Sequence, residues 1–427
     1  MARNSAEAIV HFLRFSNDYT DSIGMFKRFN DRKWHDVLQW LDDAGLAMYF
    51  LWKLQDTNCT DTIPAWALSR LVQNLLLNQE RVDDLSRRFD FLNHRFHDAG
   101  VRYVVLKGFS LVPQYCPDAS FRHQGDFDYL VDEQSLPAAQ RVLLEAEYQL
   151  KPQLSTRELI FVKPSMGEPL RNHRQYSARA PHAVELHLDI WDSEQHRLPA
   201  MQSLFSVNRT RTHQWGELAF PVLADDDAFL LQVLHACQHL FTYWIRMSSL
   251  FEIGFFLNQR ASDSPLWSQV EQKVGDNLML REFFVIITKL ATKLFAAPVP
   301  LLTERWGRQI RPATRIWIEN YGWNCTFSEI PAHEFDLFPR AKLVLFLLEQ
   351  YKGARIHKDT VRKRLIAPSR FSRMALSIKQ KPSLVWNVHW WKRQMLIRRS
   401  LFHILAGLRY FCEIPRWRWL NRASNVS

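Results

Sequence analysis

The chain has 427 residues, 47% of them hydrophobic, with 55 Lys+Arg against 44 Asp+Glu and a formal charge of +11. That is enough chain for two or three domains with a real core. The five cysteines (Cys59, Cys116, Cys237, Cys325, Cys412) are scattered, odd in number and without metal spacing, which argues for reduced thiols in a cytosolic protein rather than a disulfide framework. No apolar run of about 18 residues marks a membrane span, and Met1-Ala2-Arg3-Asn4 leads into no clean apolar signal core, so the expected location is the cytoplasm.

In chain order, residues 33–53 and 64–98 follow the 3.6-residue helical period, with Pro64 suited to the first turn of the second helix. Residues 1–69 therefore read as a helical region in front of a domain spanning about 70–222. Val104-Val105-Leu106-Lys107-Gly108-Phe109-Ser110-Leu111 predicts a short buried strand, a glycine and the start of a helix. Glycine at such a junction lets backbone approach a ligand, and the free N–H groups of a new helix suit phosphate. Lys107 adds a point charge, or is simply a solvated lysine at an ordinary turn. Arg122 offers a fork for phosphate oxygens, or for pairing with Asp126 or Asp118.

Gly125-Asp126-Phe127-Asp128-Tyr129-Leu130-Val131 is the most informative segment. On a strand, Asp126 and Asp128 share one face with Cα atoms roughly 6–7 Å apart. Two such carboxylates resist joint ionisation unless a cation lies between them, and hard divalent metals accept both carboxylate and phosphate oxygens. Asp-x-Asp also occurs by chance in surface turns, so the neighbouring segments carry weight. A helix is expected over 134–147. Residues 151–182, rich in Arg, Pro and His, read as an insertion or crossing loop. In His182-Ala183-Val184-Glu185-Leu186-His187-Leu188-Asp189-Ile190 strict alternation predicts a half-buried strand. Its polar face presents Glu185, His187 and Asp189 either to water or to the Asp126/Asp128 pair. Trp215-Gly216 begins a hairpin-like piece.

The order strand, Lys-Gly, helix, Arg-x-x-Gly-Asp-Phe-Asp, then Val-Glu-Leu-His resembles the nucleotidyltransferase superfamily related to DNA polymerase β. More narrowly it is similar to the bacterial proteins called "nucleotidyltransferase family protein", and a related pattern occurs in abortive-infection nucleotidyltransferase toxins. The strong part covers about residues 100–190. The resemblance implies an α+β fold: a small mixed sheet flanked by helices, with a mostly helical C-terminal region. It implies that Asp126, Asp128 and Glu185 bind Mg²⁺ (or Mn²⁺), two ions roughly 3.5–4 Å apart serving an in-line displacement. Lys107, Gly108, Ser110 and Arg122 would bind the nucleoside triphosphate. The chain departs from the pattern in having Gly108-Phe109 where the superfamily pairs small residues. His187 matches the motif without an assigned role. The acceptor is open: a small molecule or cell-envelope precursor, or a protein or RNA as in the toxin-like branch. A nucleotide-binding module without turnover is the remaining reading.

From Asp225 the pattern is helical, giving an expected helical domain over 223–351 and a tail over 352–427. Asp225-Asp226-Asp227 suits the positive end of a helix, or a metal. His235 and His239 share a helix face, fitting either zinc or a polar face against the catalytic domain, and Arg246 and Glu252 read as buried at the same interface. From Lys352 onward there are 18 basic and two acidic residues, net +16, whereas the preceding 351 carry 37 basic and 42 acidic, net −5. That tail interleaves Trp386, Trp390, Trp391, Trp417 and Trp419 with Lys392, Arg393, Arg398, Arg399, Arg416 and Arg418. Basic helices with tryptophan suit an anionic membrane surface or, less favoured here, nucleic acid; a packed helical subdomain is the third option.

Overall fold

A computed structural model of the chain describes residues 3–16, 18–151, 157–163, 174–178, 180–191, 203–241, 245–327, 397, 401, 404–405, 408 and 411–422. Trp386, Trp390, Trp391 and most of the basic tail lie outside these residues. The fold is α+β. Helices α1 (Arg3–Phe12), α2 (Thr20–Phe26), α3 (Asp31–Ala44), α4 (Ala47–Asp56) and the long α5 (Ala65–Asp98) precede the sheet. Strands β1 (Tyr103–Val105), β2 (Asp126–Val131), β3 (Gln149–Leu150), β4 (Glu158–Val162), β5 (Ala183–His187), β6 (Thr210–Trp215) and β7 (Leu218–Leu223) follow, with α6 (Leu136–Glu145) after β2. Then come α7 (Asp225–Phe241), α8 (Met247–Arg260), α9 (Ser264–Val274), α10 (Leu278–Phe295), α11 (Leu301–Gln309), α12 (Pro312–Trp317) and α13 (Trp323–Thr326), and residues 411–422 form a further helix.

The seven strands form one mixed sheet in the order β3-β4-β5-β2-β1-β7-β6. At its centre β2 runs antiparallel to β1 and parallel to β5, in a register that sets Asp128 beside Glu185 and Leu130 beside His187. Phe127, Tyr129 and Val131 of β2, with Val184 and Leu186 of β5, point to the other face. There they bury against Leu85, Phe89, Leu92 and Phe96 of α5 and Ala139, Val142 and Leu143 of α6. That face is apolar on both strands, so a one-residue slip of β2 would turn Asp126 and Asp128 into the apolar core and bring Phe127, Tyr129 and Val131 out of it. The polar face of β2 and β5 is thereby turned towards α7.

A second, larger core is not confined to one stretch of sequence. Residues of α1–α4, such as Phe12, Trp34 and Phe50, pack with α7, α8, α10 and α11 residues such as Phe229, Phe251, Phe284 and Trp306. The helices expected before and after the catalytic domain therefore share one core. Trp417 joins it from the C-terminal helix, beside Tyr321, whose hydroxyl donates to Glu413 (3.2 Å).

The single helix expected over 33–53 is two. Gly45 adopts φ +72°, a conformation open to glycine at a helix end. The N–H groups of Gly45 and Leu46 return to the carbonyls of Asp42 and Leu41 and close α3. The loop expected over 151–182 contains β4, whose Leu159 and Phe161 are buried between β3 and β5. Trp215-Gly216 stands at the turn of the β6–β7 hairpin rather than at its start. The helix expected after Gly108 is one 3-10 turn, Gly108–Leu111. The four cysteines described with side chains are free: Cys59, Cys116 and Cys237 buried, Cys412 exposed. Among the described residues no helix is long and apolar enough to cross a membrane.

One buried guanidinium ties α5 to both acid-bearing strands. Arg81 donates from Nε and Nη2 to Gln124 O (3.1 and 3.0 Å), just before β2. Its Nη1 donates to Ser177 O (3.1 Å) and Ala180 O (3.0 Å), just before β5. Asn78, one turn earlier, donates to Ser120 O (2.7 Å) and Arg122 O (3.2 Å). Arg81→Met keeps the stem and leaves these buried carbonyls without their donor. Unfolding by heat or urea should show a loss of about 3–5 kcal/mol, and an unchanged midpoint would remove Arg81 as the clamp.

Candidate active site

Asp128 is 1% exposed and lies at the middle of β2. Its Oδ1 accepts from Lys107 Nζ (2.9 Å) and lies 3.3 Å from His187 Nε2. Its Oδ2 is buried with no hydrogen-bond partner. Glu185 Oε2 lies 3.7 Å from the same imidazole nitrogen. One donor atom each from Asp128, Glu185 and His187 falls within 4.8 Å of the others. An orphaned buried carboxylate oxygen beside a second carboxylate and an imidazole is a donor set that fits a divalent cation. His187, the motif residue without an assigned role in the sequence, is part of this group because it lies two residues after Glu185 on the same strand face.

Asp126 lies on the same face of β2 one step earlier and opens onto a cleft of about 250 Å³. The cleft is lined by Lys107, Arg122, His123 and Gly125 from the sheet side, and by His235, His239, Arg246 and Glu252 from α7 and the start of α8. Arg122 pairs with neither Asp126 nor Asp118. Its Nε donates to Glu252 Oε1 (3.1 Å), which also accepts from Tyr49 OH (2.9 Å), while Asp118 caps a short turn by accepting from Ser120 N (2.8 Å). Glu252 is buried as expected, but Arg246 is exposed.

Gly108 and Ser110 are both buried, and neither lines the cleft. Gly108 has φ +76°, and a Cβ there would stand 2.4 Å from Gln124 Nε2. That amide, which donates to Asp126 O (3.0 Å), covers the glycine turn. His235 and His239 form a polar pair, Nε2 to Nε2 2.8 Å, and His235 Nε2 accepts from Lys107 Nζ (3.2 Å). They are the polar face against the sheet, and the lysine on His235 does not suit a zinc ligand. Asp225, Asp226 and Asp227 open α7 and are ion-paired: Asp225 with Arg211 and Arg260, Asp226 with Arg209, and Asp227 with Arg209 and Lys273.

The carboxylates are driven apart electrostatically. Burial, then Asp128 and Asp126, push Glu185 up to about 8. Burial, then the charge of Asp128, also raises Asp126. Burial disfavours the Asp128 anion too, but the Lys107 ammonium and the His187 hydrogen bond outweigh it and hold that carboxyl well below the usual range. Burial opposes the Lys107 ammonium, yet Asp128, Asp126 and Glu185 together raise its pKa. Burial, then Lys107 and His239, keep His235 far below the ordinary histidine value, hence neutral.

Because Glu185 binds its proton more tightly folded than unfolded, its contribution to stability is full below about pH 4.5 and is lost as pH rises towards about 8. Without divalent cation, Glu185→Gln should melt higher than wild type at pH 8, and the gap should close near pH 5. Added Mg²⁺ or Mn²⁺ should raise the melting temperature of wild type more than that of Glu185→Gln. Equal melting at pH 8 would show that Glu185 is not crowded by the aspartates.

Comparison with known proteins bears on the same segment. A family model described as an uncharacterised nucleotidyltransferase matches residues 30–296. Searches of curated proteins and of solved structures return no match. The matched span runs from the start of α3 to the end of α10 and contains the whole sheet, both carboxylate strands and both walls of the cleft. The chain belongs to this uncharacterised nucleotidyltransferase family and is an enzyme of nucleotidyl transfer.

Proposed function

We propose that the protein moves a nucleoside monophosphate from a nucleoside triphosphate to an acceptor hydroxyl or amine, using Asp126, Asp128 and Glu185, assisted by His187, to hold Mg²⁺ or Mn²⁺. The observation that carries this reading is the parallel register Asp128 beside Glu185, with Asp126 on the same face at the mouth of a cleft rich in cationic and imidazole side chains. A bound divalent cation would supply Lewis-acid stabilisation of charge on the phosphoryl oxygens.

The chain's own residues do the rest. Lys107 and Arg122, each fixed by a carboxylate, offset charge on the triphosphate. The acceptor atom forms a bond to the α-phosphorus as the bond to the bridging oxygen breaks. Pyrophosphate leaves with that electron pair, and the acceptor proton passes to Glu185. Chemistry of this kind is mostly positioning and electrostatics, so the site requires no nucleophilic side chain.

The acceptor is proposed to lie at an anionic membrane surface, as a cell-envelope precursor would. Ile397, Leu401, Ile404, Leu408 and Phe411 repeat at helical spacing, and all are exposed. They lie within a tail of net charge +16, the combination that binds an amphipathic segment to anionic lipid. Transfer to a protein or RNA is the competing outcome.

Incubation with each α-labelled nucleoside triphosphate, Mg²⁺ and a cell extract should place label in an acceptor. Chelator should abolish the signal, and Asp128→Asn should reduce it roughly 100-fold or more, the scale of several kcal/mol of lost charge stabilisation. Equal labelling by Asp128→Asn would sink the mechanism. Flotation with phosphatidylserine vesicles should carry the full chain upward, and Leu401→Asp with Leu408→Asp should leave it at the bottom; an RNA gel shift without flotation would favour the other acceptor class.

A further inference from the structure

The cations of the cleft are not equivalent. Lys107 is held by Asp128 and Arg122 by Glu252. Arg246 lines the same cleft from the residue that precedes α8, is exposed, and has no side-chain hydrogen bond or ion pair among the described residues. Its charge acts through space on Asp43 and Asp126 without a direct ion pair to either, and Glu252 is committed to Arg122 and Tyr49.

The place where phosphate binding was expected, Gly108 with Ser110, is buried and lies outside the lining of the cleft. Both residues sit within a 3-10 turn of four residues, Gly108–Leu111, and the Gln124 amide packs against Gly108. A polyphosphate tail must then find its cations elsewhere in the cleft. Lys107 and Arg122 act on the triphosphate from positions fixed by Asp128 and Glu252, whereas Arg246, held by no ion pair among the described residues, can turn its fork to the terminal phosphate oxygens. It stands beside Ser248 and Ser249, whose side chains line the same wall.

Building on the nucleotidyl-transfer reading, we propose that Arg246 binds the β- and γ-phosphates of the nucleoside triphosphate, and the leaving pyrophosphate after transfer. The tail of the nucleotide then rests on the helical wall of the cleft, and the glycine turn acts in packing Gln124 rather than in phosphate binding. Selection of triphosphate over monophosphate becomes a property of a residue outside the sheet.

The test is calorimetric titration of the full chain, in Mg²⁺, with ATP, GTP, CTP and UTP, with their monophosphates, and with inorganic triphosphate. Arg246 is exposed, so Arg246→Ala should melt as wild type does. It should bind the preferred triphosphate and inorganic triphosphate roughly 10- to 100-fold more weakly, the scale of a lost charge-assisted contact, with monophosphate affinity unchanged. Arg246→Lys should recover part of the loss. Unchanged triphosphate affinity in Arg246→Ala, or equal weakening of triphosphate and monophosphate, overturns the assignment and leaves nucleotidyl transfer standing. Wild type binding none of the four triphosphates would overturn the nucleotidyl-transfer reading itself, and the assignment with it.

Discussion

The Arg81 guanidinium is the contact on which the geometry of the site rests. It is buried within the protein, and from α5 it reaches carbonyl oxygens in the segments that deliver β2 and β5 to the sheet. Burying such a charge is costly unless every donor is used, and burial, then the nearby Arg88, draws its pKa down to about 10, still above neutral pH. Arginine suits the position because its planar fork can address several carbonyls at once, which an ammonium on a flexible stem cannot. With the entries to both strands tied to one side chain, the pairing of Asp128 with Glu185 follows from the hydrogen-bond register and the apolar face beneath it.

What that pairing creates is a cluster short of positive charge. Three carboxylates share one face with one lysine and one imidazole, and one buried carboxylate oxygen has no partner. The protein answers unevenly: Asp128 is held ionised by Lys107 and His187, while Asp126 and Glu185 are pushed towards protonation. A divalent cation in the proposed site would relieve repulsion already present in the fold. The other wall of the cleft is supplied by helices that share their core with the N-terminal helices, so residues near positions 45, 122 and 246 meet around one space.

Several features were legible in the residues because each rests on a local pattern. Alternation over 182–190 marks β5, and Asp-x-Asp before Tyr129-Leu130-Val131 marks β2. The helical period with Pro64 marks α5. Others were hidden by their own composition. β4 lies within an Arg-, Pro- and His-rich stretch, where two buried residues, Leu159 and Phe161, give too short a signal. The division of α3 from α4 depends on the left-handed backbone of Gly45 inside an otherwise continuous helical pattern. His187 was visible as a polar strand residue, but its contact with Asp128 depends on which strand β5 joins.

The sequence by itself determined the chemistry carried by β2 and β5, because two-residue periodicity puts Asp126 with Asp128, and Glu185 with His187, on one face whatever else the chain does. It also set the contrast between an acidic body and a basic tail. Only the tertiary structure decided which groups those acids meet. Lys107 found Asp128, Arg122 found Glu252 rather than Asp126 or Asp118, and Gln124 closed the Gly108 turn. Those partners lie up to about 130 residues apart along the chain. Spacing in the sequence carries no information about them, since strand order and the burial of two separate cores bring them together.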